Sequence, residues 1–81
     1  MVIVELEELK KEISRIKKEI PLFSLWVHKK SGKKYTVEDI TVIEKDLSIN
    51  INYMRSRNNI DDLLIIWSRP FKEFLEKFKR I

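Results

Sequence analysis

Apolar residues recur at alternating intervals of four and three positions along residues 2–20, which is the a and d pattern of a coiled coil. The flanking positions agree, because Glu5 would face Lys10 and Glu12 would face Lys17 of a neighbouring parallel helix. We therefore predict that residues 1–20 form a helix that joins copies of the chain into a homo-oligomer. The residues of that seam would be Val2, Leu6, Leu9, Ile13, Ile16 and Ile20.

An alternative remains open for this helix, in which the apolar stripe folds back onto the chain's own domain. The strict heptad period favours the seam between copies, since intramolecular faces are usually wider. The mixture of Leu and Ile does not separate a dimer from a trimer or tetramer. Pro21 is expected to end the helix, because it disfavours helical geometry at Ile20 and has no backbone N–H to donate.

The period changes after Pro21 and predicts short strands. Residues 25–28 indicate one strand, and residues 35–43 indicate a return strand after a turn at Gly32, the only glycine. Residues 49–54 alternate apolar and polar, as in a half-buried strand. Residues 63–67 are continuously apolar, which predicts a strand buried on both faces.

The C-terminal segment predicts a helix with Ser68 as its N-cap and Pro70 in its first turn. Its apolar face would consist of Phe71, Phe74, Leu75 and Phe78. The predicted fold class is therefore α+β. An N-terminal coiled-coil helix over residues 1–20 precedes a small antiparallel SH3-like β-barrel over residues 22–81, which the C-terminal helix closes.

Composition narrows the class of protein. The 81 residues include no cysteine, so disulfides and thiolate metal sites are excluded. No apolar run approaches the ~20 residues of a membrane helix, and acidic residues follow the first methionine too closely for a signal peptide. We expect a cytoplasmic protein that does not contact membranes.

The formal net charge of +4 is concentrated locally. Residues 21–35 contain four lysines and no acid, and residues 63–81 are also basic, whereas residues 36–50 are acidic. A local basic patch suits an anionic partner, although solvated lysines are the commoner explanation.

Short motifs in the domain resemble a family of small bacterial and phage proteins known as a domain of unknown function. The resemblance covers residues 25–78, leaves out the N-terminal helix, and implies a small β-rich fold without an established activity. Its signature is aromatic-x-His, Gly, Tyr-x-Val, Tyr and Arg, then Trp-x-Arg-Pro and Phe. The matching residues are Trp26, His28, Gly32, Tyr35, Val37, Tyr53, Arg55, Trp67, Arg69, Pro70 and Phe74.

Catalytic chemistry is not indicated by the sequence. His28 is the only histidine, and the adjacent Asp61 and Asp62 have diverging side chains, typical of a solvated turn. One glycine cannot form a phosphate-binding glycine-rich loop. We expect a protein that is not an enzyme and holds neither metal nor cofactor.

Aromatic and basic residues are the candidates for binding. The aromatic side chains suit either the core or stacking against a nucleobase. Arg69 either binds an anion near the start of the C-terminal helix or pairs with Glu73. The candidate ligand-binding residues are Trp26, His28, Lys30, Lys33, Lys34, Tyr35, Tyr53, Arg55, Arg57, Trp67 and Arg69.

The resulting hypothesis is a non-enzymatic homo-oligomer that binds an anionic nucleotide-type ligand. If the gene came from a phage, such a protein could sequester a nucleotide signal of the host's immune response. One alternative is a nucleic-acid-binding module, whose affinity would fall steeply with salt. Another is an interaction or inhibitor module that acts on a host protein.

Overall fold

A computed structural model describes residues 3–55 and 65–81, with side chains described from residue 6 onward. It confirms the α+β class, with an N-terminal helix, an antiparallel sheet and a C-terminal helix. In the described part of the chain, no helix has the length and apolar character needed to cross a bilayer. The elements are α1 (Ile3–Glu19), β1 (Leu25–His28), β2 (Lys34–Ile43), β3 (Ser48–Arg55), β4 (Ile66–Pro70), α2 (Phe71–Lys77) and β5 (Phe78–Arg80).

The five strands form one antiparallel sheet in the order β4-β3-β2-β1-β5. The sheet is not closed, because β4 and β5 lie at its two ends and do not pair with each other. The predicted barrel is therefore not confirmed. The predicted run of the second strand through residue 43 is confirmed, as is the turn at Gly32, whose φ of 74° favours glycine.

An irregularity in β2 keeps apolar side chains on one face of the sheet. Tyr35 and Val37 alternate with polar residues, and the next apolar pair, Ile40 and Val42, is out of phase with them. The pairing of β2 with β3 shifts between Val37 and Asp39, as in a β-bulge. The extra residue reverses the alternation, so both apolar pairs face the core.

The core forms where the sheet meets the two helices. Ile51 and Val37 from the sheet are fully buried, and so is Phe74 of α2. Phe74 stacks on Phe78 of β5 with ring centroids 4.4 Å apart. Ile16 of α1 packs into the same cluster. The C-terminal half of α1 is thus part of the same hydrophobic core as the sheet and α2.

The C-terminal half of α1 differs from the predicted seam between copies, because its apolar residues pack within the chain. Ile16 is 1% exposed and Ile20 is 0% exposed, because both are buried in the core of their own chain. Ile13 and Leu9 are half-buried and pack against that core, and Leu6 is exposed. Ile16 and Ile20 are therefore not available for a seam between copies. Val2 lies outside the described side chains, and homo-oligomer formation stays a prediction.

The region around Ser68 also differs from the prediction. Ser68 lies inside β4 and is not an N-cap, and α2 begins only after Pro70. Phe78 starts β5 instead of continuing the helix. The prediction of a strand buried on both faces is wrong for residues 65–67, since Ile66 is 63% exposed and Trp67 is 48% exposed. The physical reason is that β4 is an edge strand, while residues 63 and 64 lie outside the described residues.

Replacing Ile16 with Ala should lower the free energy of unfolding by about 2–5 kcal/mol, because it leaves a cavity in the core. Urea denaturation measures this loss, and it should be the same at low and high protein concentration since the contact lies within one chain. The control is Leu6→Ala at an exposed position, which should cost less than about 0.5 kcal/mol. Equal losses at both positions would contradict the intramolecular packing of α1.

Candidate functional site

One end of the core face of the sheet opens into a pocket of about 250 Å³, which we call the aromatic-basic pocket. It brings together side chains from β1, β2, β3, β4 and β5 and from the turn between β1 and β2. The residues that line it are His28, Ser31, Lys33, Tyr35, Tyr53, Trp67, Arg69 and Phe78. Apart from Ser31 and Phe78, all of them are among the ligand-binding residues predicted from the sequence.

Strand register explains why these side chains meet. Trp67 of β4 lies opposite Tyr53 of β3, and Arg69 lies opposite Ile51, so Trp67 and Arg69 share the core face. At the other end of the sheet, His28 of β1 lies opposite Phe78 of β5. Residues that are far apart in sequence thus reach one face because opposed residues in antiparallel strands point to the same side.

Aromatic rings form the walls of the pocket. Tyr53 and Tyr35 meet edge to face with ring centroids 5.4 Å apart, and Phe78 lies 4.9 Å from Tyr53 and 5.5 Å from Tyr35. His28 meets Phe78 edge to face at 5.0 Å. Such contacts hold the rings in defined orientations. Trp67 lines the same pocket and leaves about half of its surface exposed.

Arg69 carries the fixed positive charge of the pocket. Its Nε donates a hydrogen bond to the Tyr53 hydroxyl at 2.8 Å, and its Nη1 donates to Glu73 Oε1 at 2.7 Å. Its Cζ lies 5.8 Å from the Phe78 ring centroid, within cation–π range. Among the described residues, Nη2 has no hydrogen-bond partner. These contacts orient the guanidinium and leave Nη2 as the donor nitrogen that the described residues do not use.

Tyr53 remains a neutral acceptor for this hydrogen bond. Burial raises the pKa of the Tyr53 phenol above its ordinary value, although the hydrogen bond from Arg69 acts in the opposite direction. The Tyr53 hydrogen bond and the nearby Glu73 charge raise the pKa of Arg69, against the effect of its own burial. Arg69 therefore keeps its charge at every physiological pH.

His28 is held by the turn that follows it. The Ser31 backbone N–H donates to His28 Nδ1 at 3.2 Å, and Ser31 Oγ lies 3.1 Å from the same nitrogen. Nδ1 is thus the acceptor in the neutral ring, which leaves the proton on Nε2. The contact between Ser31 and His28 also closes the turn, together with the hydrogen bond that the Gly32 N–H donates to the His28 carbonyl at 2.8 Å.

The protonation of His28 is disfavoured in this place. Burial lowers the pKa of the imidazole below its ordinary value, and the positive charges of Arg69, Lys77 and Lys30 lower it further. At neutral pH the ring is uncharged and offers an N–H donor at Nε2. The pocket therefore presents one fixed cation and one neutral donor, with Lys33 as an exposed second cation at its rim.

Some predicted binding residues lie elsewhere. Trp26 is 4% exposed, its indole N–H donates to Ser24 Oγ at 2.8 Å, and its ring meets Phe74 at 5.1 Å. The prediction of Trp26 as a ligand-binding residue is therefore wrong, because the core buries the ring and satisfies its donor. Its alternative role in the core is the one that the structure describes.

The remaining basic candidates do not line the pocket. Lys30 is exposed in the β1–β2 turn, and Lys34 is exposed at the start of β2, where it precedes the inward-facing Tyr35. Arg55 ends β3 opposite Tyr35. Arg57 lies outside the described residues, together with Asp61 and Asp62.

Two pocket residues were missed by the sequence analysis. Ser31 is not among the residues predicted to bind a ligand, although its position three residues after His28 in a tight turn could have indicated the contact. The sequence predicts Phe78 on the apolar face of the C-terminal helix, since its spacing from Phe71 and Phe74 fits a helical period. No local signal indicates that the chain becomes extended at Phe78.

A second, apolar groove of about 530 Å³ lies between α1, the β2–β3 turn and the start of α2. Leu9, Ile49 and Phe71 contribute its apolar surface, and Glu8 and Lys72 are among its polar residues. It contains none of the predicted ligand-binding residues. The described residues also include no group of three side chains that could hold a metal ion.

No protein-family model, curated protein or solved structure matches this chain. The resemblance to a domain of unknown function stays a prediction. The geometry of the aromatic-basic pocket is therefore the basis for assigning a function.

The environment of His28 gives a prediction about pH. The His28 imidazole should titrate below its ordinary pKa of about 6.5 when followed by NMR. Because folding lowers this pKa, the unfolded chain takes up the proton first. The contribution of His28 to stability is therefore complete above pH 6.5 and decreases as the pH falls below it.

A matched pair of variants tests the cause. Arg69→Gln should raise the pKa of His28 toward its ordinary value, whereas Arg80→Gln, which removes a similar charge at an exposed position of β5, should change it less. A His28 pKa at or above the ordinary value in the wild type would contradict the described environment.

Proposed function

We propose that the aromatic-basic pocket binds an anionic nucleotide-type ligand and does not turn it over. The observation that carries this proposal is Arg69, which two hydrogen bonds orient beside the aromatic walls. An oriented guanidinium loses little conformational freedom on binding, so it suits recognition of a phosphate oxygen.

The groups of the pocket divide into two kinds that match the two parts of a nucleotide. A phosphate would accept hydrogen bonds from Arg69 Nη2 and from the Nε2–H of His28, with Lys33 adding charge. The base would stack on the exposed indole of Trp67, a contact worth about 1–3 kcal/mol per base. The volume of about 250 Å³ suits a single nucleotide unit better than a longer ligand.

Glu73 competes with the ligand in this proposal. Its carboxylate already accepts a hydrogen bond from Arg69, and its negative charge opposes a phosphate at the same guanidinium. In the ligand-free protein it compensates the Arg69 charge, so the pocket does not hold an uncompensated cation. Binding therefore adds a charge-assisted contact at Nη2, while the Glu73 carboxylate stays on Nη1 and its charge opposes that of the phosphate.

Two further proposals concern the curvature of the sheet and the oligomeric state. We propose that the sheet curls toward a partly open SH3-like barrel, supported by the strand order and by the bulge in the ten-residue β2. We also propose that the chain acts as a homo-oligomer, because a domain of this size buries little surface alone.

Thermal unfolding with a panel of cyclic and linear nucleotides tests the function. A ligand at about one hundred times its dissociation constant should stabilise the fold by about 2.7 kcal/mol, a shift of several degrees in melting temperature. Arg69→Gln should abolish the shift. The control Lys34→Gln removes one positive charge outside the pocket and should retain it.

Two further measurements make this experiment decisive. Chromatography should recover the nucleotide unchanged, and a converted nucleotide would show an enzyme instead. The nucleic-acid alternative is supported by the exposed lysines of the β1–β2 turn. It would be favoured if oligonucleotide affinity falls with salt concentration, and falls more steeply for longer oligonucleotides. Absence of a shift with every nucleotide would contradict the proposal.

Glu73→Gln gives a separate prediction with the opposite sign. Removing the competing charge should tighten nucleotide binding by up to about fivefold, as expected for a partly exposed ion pair. Isothermal titration calorimetry measures the change. The control is Glu76→Gln on the same helix, whose carboxylate lies near Lys77 rather than Arg69. Weaker binding in Glu73→Gln, or equal effects in both variants, would show that Glu73 does not compete.

A further inference from the structure

The two edges of the sheet differ in chemistry. The β5 edge carries Lys79 and Arg80, and charged side chains are a common protection of a sheet edge against pairing. The β4 edge carries the exposed side chains of Ile66 and Trp67, followed by Pro70 and by Arg69, whose charge is paired with Glu73. Along β4, one side pairs with β3 and the other side has no strand among the described residues.

We propose that β4 pairs antiparallel with β4 of a second copy, around a two-fold axis at Ser68. This interface lies outside the predicted helical seam and does not depend on a nucleotide in the pocket. Two five-stranded sheets would become one continuous sheet. The main-chain groups on the free side of β4 would gain hydrogen-bond partners, and Ile66 would lose exposed apolar surface.

The sequence of β4 is self-complementary in this register. Ser68 is the central residue of Ile66–Pro70, so a two-fold axis there aligns the whole strand. Trp67 then lies opposite Arg69 of the partner subunit, on the face that carries the pocket. An indole beside a guanidinium is a favourable cation–π pair, and the symmetry makes it occur twice.

The other edge of the sheet is a poorer partner for β4. β5 has only three residues, and its Lys79 and Arg80 would approach the positive charge of Arg69. The apolar side chains of β4 would find no matching surface there. In the register around Ser68, Ile66 instead lies opposite Pro70 of the partner subunit, and Arg69 lies opposite Trp67 of the partner subunit.

Dimer formation would place the two aromatic-basic pockets side by side. Trp67 and Arg69 line the pocket and also take part in the proposed pairing, so the partner subunit's Trp67 would extend the wall beside Arg69. Each pocket would thereby gain an aromatic surface that a single chain does not provide.

Cysteine cross-linking tests the axis, because the chain has no cysteine of its own. In an antiparallel pair, residues at the axis have Cα atoms about 4.5–5.5 Å apart, within disulfide range. Ser68→Cys should therefore form a disulfide-linked dimer under mild oxidation, roughly tenfold faster than a cysteine that meets only by collision. Ser14→Cys, at an exposed position of α1, is the collision control.

A third variant, Leu9→Cys, separates this interface from a helical seam, since Leu9 is a seam position in the coiled-coil prediction. Light scattering without nucleotide should give the wild type twice the monomer mass and Ile66→Lys the monomer mass, with an unchanged circular dichroism spectrum. A monomeric wild type would overturn the proposal. So would cross-linking of Ser68→Cys at the rate of Ser14→Cys, or preferential cross-linking through Leu9→Cys. These readouts do not use the ligand, so their failure leaves the pocket proposal to its own test.

Discussion

Tyr53 links the hydrophobic core to the pocket, and both depend on its position. Its ring contacts Phe74 at 5.4 Å and Phe78 at 4.9 Å, and its hydroxyl accepts the hydrogen bond from Arg69. A buried phenol needs a partner for its hydroxyl, and a partly buried guanidinium needs acceptors. The two groups satisfy each other, so the packing of the core also sets the direction of the charge in the pocket.

The electrostatic character of the pocket follows from this arrangement. Arg69 keeps its charge, while burial and neighbouring cations keep His28 neutral at physiological pH. Glu73 balances Arg69 without enclosing it, since the carboxylate side chain remains partly exposed. In the proposed function, the pocket would select an anion through oriented donors more than through accumulated charge, in keeping with the modest net charge of +4.

The proposed self-association has two candidate physical bases in this chain. The buried half of α1 completes the core of its own domain. Among the described side chains, Leu6 is the predicted seam position that remains exposed for a helix–helix contact with a second copy. In the proposed dimer, the β4 edge would contribute main-chain hydrogen bonds and the exposed surface of Ile66. A strand interface would thus account for assembly without removing α1 from the core.

The sequence by itself determined the α+β class, the strands on either side of Gly32 and most residues of the pocket, because alternation and turn chemistry are local properties. It also gave Arg69 as a candidate binding residue and left Glu73 open as its partner, four residues further along the chain. Only the tertiary structure decided that Ile16 and Ile20 face their own sheet, since helical periods of 3.5 and about 3.6 residues barely differ over such a short helix. The tertiary structure also decided that Trp26 is buried in the core and does not line the pocket. It decided as well that Ile66 and Trp67 are exposed, because β4 is an edge strand. Burial of these side chains depends on which strand or helix packs beside them, and the local sequence pattern does not determine those neighbours.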